Sequence, residues 1–277
     1  GPRRHPETRM TLSTRMTLFT RLTRLNTASL FSEPARAVGA LRQWGLRAVV
    51  AAGVLATVAC APVKPAATPE YPVGRARLAL PEGTWEDLGQ STVALPVRPA
   101  PGTIPLQTRA VGLRGADKEL LAVALVQTNS TNYPREQTLW TGTCPRQDGV
   151  WVEDAAQASP VRVDCLRFKR WANNRDWLDK NQPELVRWMA DHKVTFTRPV
   201  SHLNYRYATQ GGAYVEVNIV ADQRLVRPKT INNEEFLRAG YPAQDWAQKV
   251  AQAARQSVSM MDGYLALPAF PIPESKL

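Results

Sequence analysis

The sequence predicts an α+β fold: a mostly antiparallel sheet with a helical pair inserted into it and a long helix near the C-terminus. Three observations carry this. His202–Ala208 and Ala213–Ala221 are alternating runs joined by Thr209-Gln210-Gly211-Gly212, the strongest hairpin signal in the chain. The apolar period changes from two to that of a helix after Asn173 and again after Asn233. No run of about 18 apolar residues exists, which excludes a polytopic helical membrane protein.

Each element has its own reason. Between Pro81 and Pro105 the prolines are frequent, so apolar pieces such as 91–97 (STVALPV) suit edge strands, where a missing N–H leaves no ladder bond broken. Residues 119–127 (ELLAVALVQ) form a nearly continuous apolar run stopped by Thr128-Asn129-Ser130, as expected of a strand buried on both faces. Gln137–Cys144 and Val150–Val152 are short strand candidates separated by Pro145 and the Asp148-Gly149 turn. Residues 160–169 (PVRVDCLRFK) alternate, with Val161, Val163 and Cys165 in the apolar set.

Asn174–Leu178 then reads as a helical turn, and Pro183 stands at the first position of a helix reaching His192. In the hairpin, Val215, Val217, Ile219 and Ala221 make the buried face, opposite Tyr214, Glu216, Asn218 and Val220. Asn233–Ala239 is a short helix and Pro242–Met261 a long one, with Trp246, Val250, Ala253, Ala254, Ser257 and Met261 on one side. The Pro-rich end (PAFPIPESKL) is expected to be extended.

Of 277 residues, 44% are hydrophobic and 21% charged, an ordinary globular balance. The net charge of +11 is unevenly placed. Residues 1–59 hold nine arginines and two acids, a net +7, which leaves +4 from Cys60 onward. The basic character belongs to the leader, and nucleic-acid binding is not expected.

Residues 48–59 (AVVAAGVLATVA) are twelve uncharged residues, preceded by Arg42 and Arg47 and followed by Cys60. A basic stretch, a short apolar run and small residues before a boundary are the parts of a secretory signal. Thr57-Val58-Ala59-Cys60 resembles the lipobox of bacterial lipoproteins, with Thr57 at the position that is normally Leu. The resemblance covers this segment alone and the domain after it is not part of it. It implies cleavage before Cys60, diacylglycerol on its sulfur and acylation of its new amino group. Ala61 follows in place of the Asp that retains Gram-negative lipoproteins in the inner membrane, so the resemblance points to the outer membrane, with the domain facing the periplasm or the cell surface. Residues 60–80, rich in Pro and Ala, are expected to be a tether.

Four segments follow: 1–37 upstream of the signal, 38–59 the signal, 60–80 the tether, and 81–277 a single envelope domain with a Pro-rich tail. The upstream segment is Arg- and Thr-rich like a transit peptide, and translation is expected to start at Met10, Met16 or near Val38.

Setting Cys60 aside leaves Cys144 and Cys165, an even remainder for an exported chain, and these are expected to form a disulfide. His192 and His202 stand at no metal-ligand spacing from them, so no metal site is expected. Phosphate-binding glycine loops, G-x-S-x-G, S-x-x-K and H-E-x-x-H are all absent from the sequence, and no cofactor or catalytic residue is expected. Ser201 and His202 are adjacent on a strand and therefore point to opposite faces.

The aromatic residues are the more unusual feature. Arg167, Lys169, Arg170, Trp171, Arg175 and Trp177 mix cations with aromatics, a pattern that suits an anionic glycan or a lipid headgroup. Tyr205, Tyr207 and Tyr214 on the hairpin are a second candidate surface, with an ordinary solvated sheet face as the other reading. The expected function is that of a membrane-anchored envelope lipoprotein with a non-catalytic binding or assembly-accessory domain, whose partner is an envelope protein or an anionic glycan. The alternative is a hydrolase acting on glycan through two carboxylates, whose mark would be two acids converging in a cleft.

Overall fold

The computed structural model describes residues 69–132, 137–140, 144–259 and 263–277, all within the compact unit Pro62–Leu277. Cys60, the signal and the segment upstream of it lie outside the described residues.

The architecture is α+β around a seven-stranded antiparallel sheet. Its strands are β3 (Thr84–Pro96), β4 (Thr103–Arg114), β5 (Leu120–Asn129), β6 (Trp151–Asp154), β7 (Val163–Lys169), β8 (Val200–Ala208) and β9 (Tyr214–Asp222), in the spatial order β3-β4-β5-β9-β8-β7-β6. A smaller sheet joins β1 (Glu70–Val73), β2 (Ala76–Ala79) and β10 (Tyr264–Ala266), with β10 parallel to β2. Between β7 and β8 run α1 (Trp177–Asn181) and α2 (Pro183–Asp191). After β9 come α3 (Gln223–Val226), α4 (Asn233–Arg238) and α5 (Tyr241–Ser259).

Alternation sorts the side chains of the large sheet onto two faces. Val215, Val217, Ile219 and Ala221 of β9 join Leu166, Phe168, Leu203 and Tyr205 on the first face, where α5 and the small sheet cover them. Helix α5 fits there because its buried positions are mostly small: Ala243, Ala247, Ala251 and Ala254 line up with Trp246 and Val250 at helical spacing. Ala253 is only half-buried, and residues 260–262 lie outside the described set.

The second face is covered at two ends. Val97, Ile104, Leu106, Val163, Cys165, Ala208 and Tyr214 pack beneath Trp140 and Cys144. Val200 and Val220 pack beneath Leu178 of α1 and Leu185 of α2. Between these clusters the sheet carries polar side chains.

Two expectations are corrected, for residues 70–79 and for 137–144. Residues 70–79 are not tether: Val73, Leu78 and Leu80 are core residues, and the β1–β2 turn rests on β5, with Arg75 N–H donating to the Asn129 carbonyl at 2.9 Å. Gly74 permits this approach. It has φ +51°, and a Cβ there would stand 2.2 Å from the Asn129 oxygen. The C-terminal segment packs on the domain: β10 completes the small sheet, Leu267 is buried and Phe270 stacks on Trp246 at 5.0 Å. The piece expected as an edge strand, 91–97, does lie on one: residues 91–96 end the thirteen-residue β3, which has a register shift between Asp87 and Gly89. Gln137–Cys144 is not a strand where it is described: Leu139 makes one isolated bridge to Arg98.

Candidate functional site

β7 carries the basic residues noted in the sequence, and its alternation divides them. Arg167 and Lys169 point to the second face of the sheet. Arg170, just beyond the strand, falls on the first face with Phe168 and Ser201. The run 167–177 is therefore not one patch. Trp171 is 44% exposed, Arg175 is exposed with φ +51°, and Trp177 is half-buried over His202.

On the second face, Arg167 donates to Gln147, whose amide donates to Asn181 of α1. Lys169 donates to the Gly149 carbonyl and lies 5.6 Å from the Trp177 ring centroid. His202 is fully buried, and its Nε2–H donates to Asn218 Oδ1 at 3.2 Å. The same oxygen accepts from Asn204, which also donates to Glu216 Oε1 at 2.7 Å, while the Tyr214 hydroxyl donates to Glu216 Oε2. Burial and the Glu216 charge push the Tyr214 hydroxyl pKa upward. Glu216 is thus spent as an acceptor, and Ser201 lies on the opposite face of β8 from His202.

Two tyrosines of the proposed hairpin surface are corrected here. Tyr205 is completely buried and Tyr214 nearly so, because both faces of the hairpin are covered, while Tyr207 packs half-buried against the main core. The Tyr205 hydroxyl donates to Asp164 at 2.9 Å; burial and the neighbouring carboxylate push its pKa well up. Asp164 also takes Arg162 at 2.8 Å and Arg255 of α5 at 3.0 Å.

His202 makes stability depend on pH. Burial, chiefly, lowers its pKa from 6.5 to about 4, so the folded state stays neutral where the unfolded chain takes up a proton. The stabilisation is complete above pH 6.5 and is lost as pH falls toward 4. The shift corresponds to about 3 kcal/mol. Urea unfolding at a series of pH values should show this decline, and His202→Gln should flatten it.

The first face holds a cleft where the ends of β6, β7 and β8 meet α3 and the start of α5. Trp151, Phe168, Val226, Ala239 and Ala243 give it apolar walls, and Arg170 and Arg227 line it with Ser201, Gln223 and Gln244. The Arg170 backbone is fixed, since its carbonyl accepts from Ser201 Oγ at 2.7 Å and Gln223 Nε2 at 2.8 Å. Its guanidinium reaches the turn before α5, where a Cβ on Gly240 would stand 2.9 Å from Nη2. Of these residues the sequence reading singled out only Arg170 as a binding residue. Arg227, between α3 and α4, carries no sequence signal of its own.

Among the described residues no group of three or more His, Cys, Asp or Glu is arranged to hold a metal. Cys144 and Cys165 are joined in a disulfide with a Cα separation of 5.4 Å. Comparison with protein-family models, with curated proteins and with solved structures gives no match for the chain.

Proposed function

We propose that the chain is an exported lipoprotein, anchored in the outer membrane through Cys60, whose α+β domain works by binding an envelope partner or an anionic glycan rather than by catalysis. The observation that carries this reading is the Cys144–Cys165 disulfide, a bond suited to an oxidising compartment, in a chain whose third cysteine follows a short apolar run. Among the described residues no helix is long and apolar enough to cross a membrane, so in this reading the lipid is the anchor.

In this reading the helical pair α1–α2, inserted between β7 and β8, and the long helix α5 serve as the two covers that shape the sheet's faces for a partner. The hydrolase reading meets one cleft in which two acids do line the same wall, Glu153 and Asp164 beneath α5. There both oxygens of Asp164 are already engaged, Oδ1 by the Tyr205 hydroxyl and Arg255 and Oδ2 by Arg162, so neither is left to face a substrate.

Anchoring is tested by expressing the full chain in a Gram-negative host beside its Cys60→Ala variant. Membrane-bound protein that becomes soluble in the variant supports the reading. An equal distribution of the two proteins counts against it.

A further inference from the structure

The seven-stranded sheet ends on two edges that are built differently. β6 is four residues long and carries Glu153 and Asp154, and the Asp154 carboxylate turns back on the chain to accept from the Ala156 and Ala158 N–H groups. Short, charged edges resist pairing with another strand. The edges of the small sheet, β1 and β10, are four and three residues long. β3 has thirteen residues. Past its register shift between Asp87 and Gly89 it pairs with β4 without interruption from Gln90 to Pro96. No charged residue occurs from Leu88 to Val97, and Gln90, Ser91, Thr92, Val93 and Ala94 are all exposed.

The hydrogen-bond phase of this segment fixes which groups face outward. The Val97 N–H donates to the Gly102 carbonyl at 2.9 Å, so the odd-numbered positions spend their backbone groups on β4. The far side of β4 agrees. The Ser130 N–H donates to the Pro105 carbonyl at 2.9 Å, which turns odd-numbered β4 residues toward β5 and even-numbered ones toward β3. Gln90, Thr92 and Ala94 therefore turn both N–H and C=O away from the sheet, and Pro96 turns a carbonyl alone. Among the described residues none bonds these groups. An exposed edge of this length is a template for a further strand.

We infer that β3 is the interface between two copies of this chain, each strand pairing antiparallel with its counterpart about a two-fold axis through Val93. That axis sets Thr92 opposite Ala94 of the second copy and Gln90 opposite Pro96, so outward groups meet outward groups. The Pro96 carbonyl receives the Gln90 N–H, and the N–H that proline lacks falls at the end of the ladder. Val93, 49% exposed, meets Val93 of the second copy in a non-hydrogen-bonded pair, where facing side chains come closest. Charge selects the same orientation. Asp87, which holds Arg109, and Arg98 bracket the uncharged segment, and the axis brings the Asp87 end of one copy to the Arg98 end of the other. Parallel pairing would set like charges together at both ends. The contact is isologous and closes at two copies, joining two seven-stranded sheets into one.

The test is sedimentation velocity of the full chain carrying Cys60→Ala, so that no anchor interferes, at concentrations from about 1 to 200 μM. Main-chain bonds and one apolar pair over a small area suit a dimer with a Kd of about 10 μM. Val93→Lys sets two like charges at the axis, and Ala94→Pro removes an outward N–H without breaking a bond to β4. Each is expected to weaken dimerisation about tenfold or more. Both positions are exposed, so each variant should keep the melting temperature of the parent when both are monomeric.

Cross-linking locates the axis. Val93→Cys is expected to give a disulfide-linked dimer under mild oxidation, because position 93 meets itself, whereas Gln90→Cys lies too far from its counterpart to do so. A parent chain that stays monomeric throughout would overturn the assignment, including one whose own N-terminal segment protects the amides of 90, 92 and 94 from hydrogen exchange. So would a dimer indifferent to Val93→Lys and Ala94→Pro, growth past two copies, or cross-linking at position 90 as fast as at 93.

Discussion

Replacing Asp164 by alanine should lower the unfolding free energy by about 3 kcal/mol, the scale for removing one partner of a buried charge cluster. The carboxylate is only 2% exposed and is the meeting point of three elements. It holds the Tyr205 hydroxyl of β8, Arg255 of α5 and Arg162 at the start of its own strand. Its loss leaves the Tyr205 hydroxyl buried without that acceptor, and the contact that fixes α5 to the sheet edge goes with it. Both arginines are partly exposed and can turn to water, which keeps the cost near the lower end for such clusters. Asp164→Asn keeps the shape and one acceptor oxygen and should cost about half as much. Asp179→Ala, at an exposed position of α1, should change little. Urea denaturation of the three variants beside the parent checks the order.

The second large effect belongs to the disulfide. Cys144 and Cys165 are 21 residues apart in sequence, and closing a loop of that size restricts the unfolded chain by about 3 kcal/mol. Cys165 is also packed among Val97, Ile104, Leu106, Val163 and Tyr214, so the bridge pins the segment before β6 onto one of the two clusters of the second face. A Cys144→Ser/Cys165→Ala double variant, or the reduced protein, should melt roughly 6–12 °C lower for a domain of this size. The alanine keeps position 165 apolar, so that the change reads the cross-link rather than a hydroxyl placed in the core.

The hairpin of β8 and β9 was legible in the sequence because turn chemistry and period-two alternation agree there. Other features were hidden for identifiable reasons. Residues 70–79 share the Pro/Ala-rich composition of a tether, and two four-residue strands are too short for alternation to outweigh it. Tyr205 and Tyr214 looked like surface residues because a hairpin alone has one free face. In the folded protein α5 covers one of these tyrosines and the Trp140 segment the other, and neither contact is local in sequence. The basic-aromatic run at 167–177 singled out Arg170 in the sequence. Its cleft partner Arg227 is 57 residues away, and only the return of the chain through β8, β9 and α3 brings them together.

The central claim is that this is an exported domain held by a lipid at Cys60 and stapled by its other two cysteines. The intact mass of the protein, extracted from the membrane fraction under non-reducing conditions, tests it most directly. The account predicts a chain beginning at Cys60, carrying the mass of its acyl groups and lacking two hydrogens that return on reduction. An unmodified chain that retains residues before Cys60, with Cys144 and Cys165 both free, would contradict it.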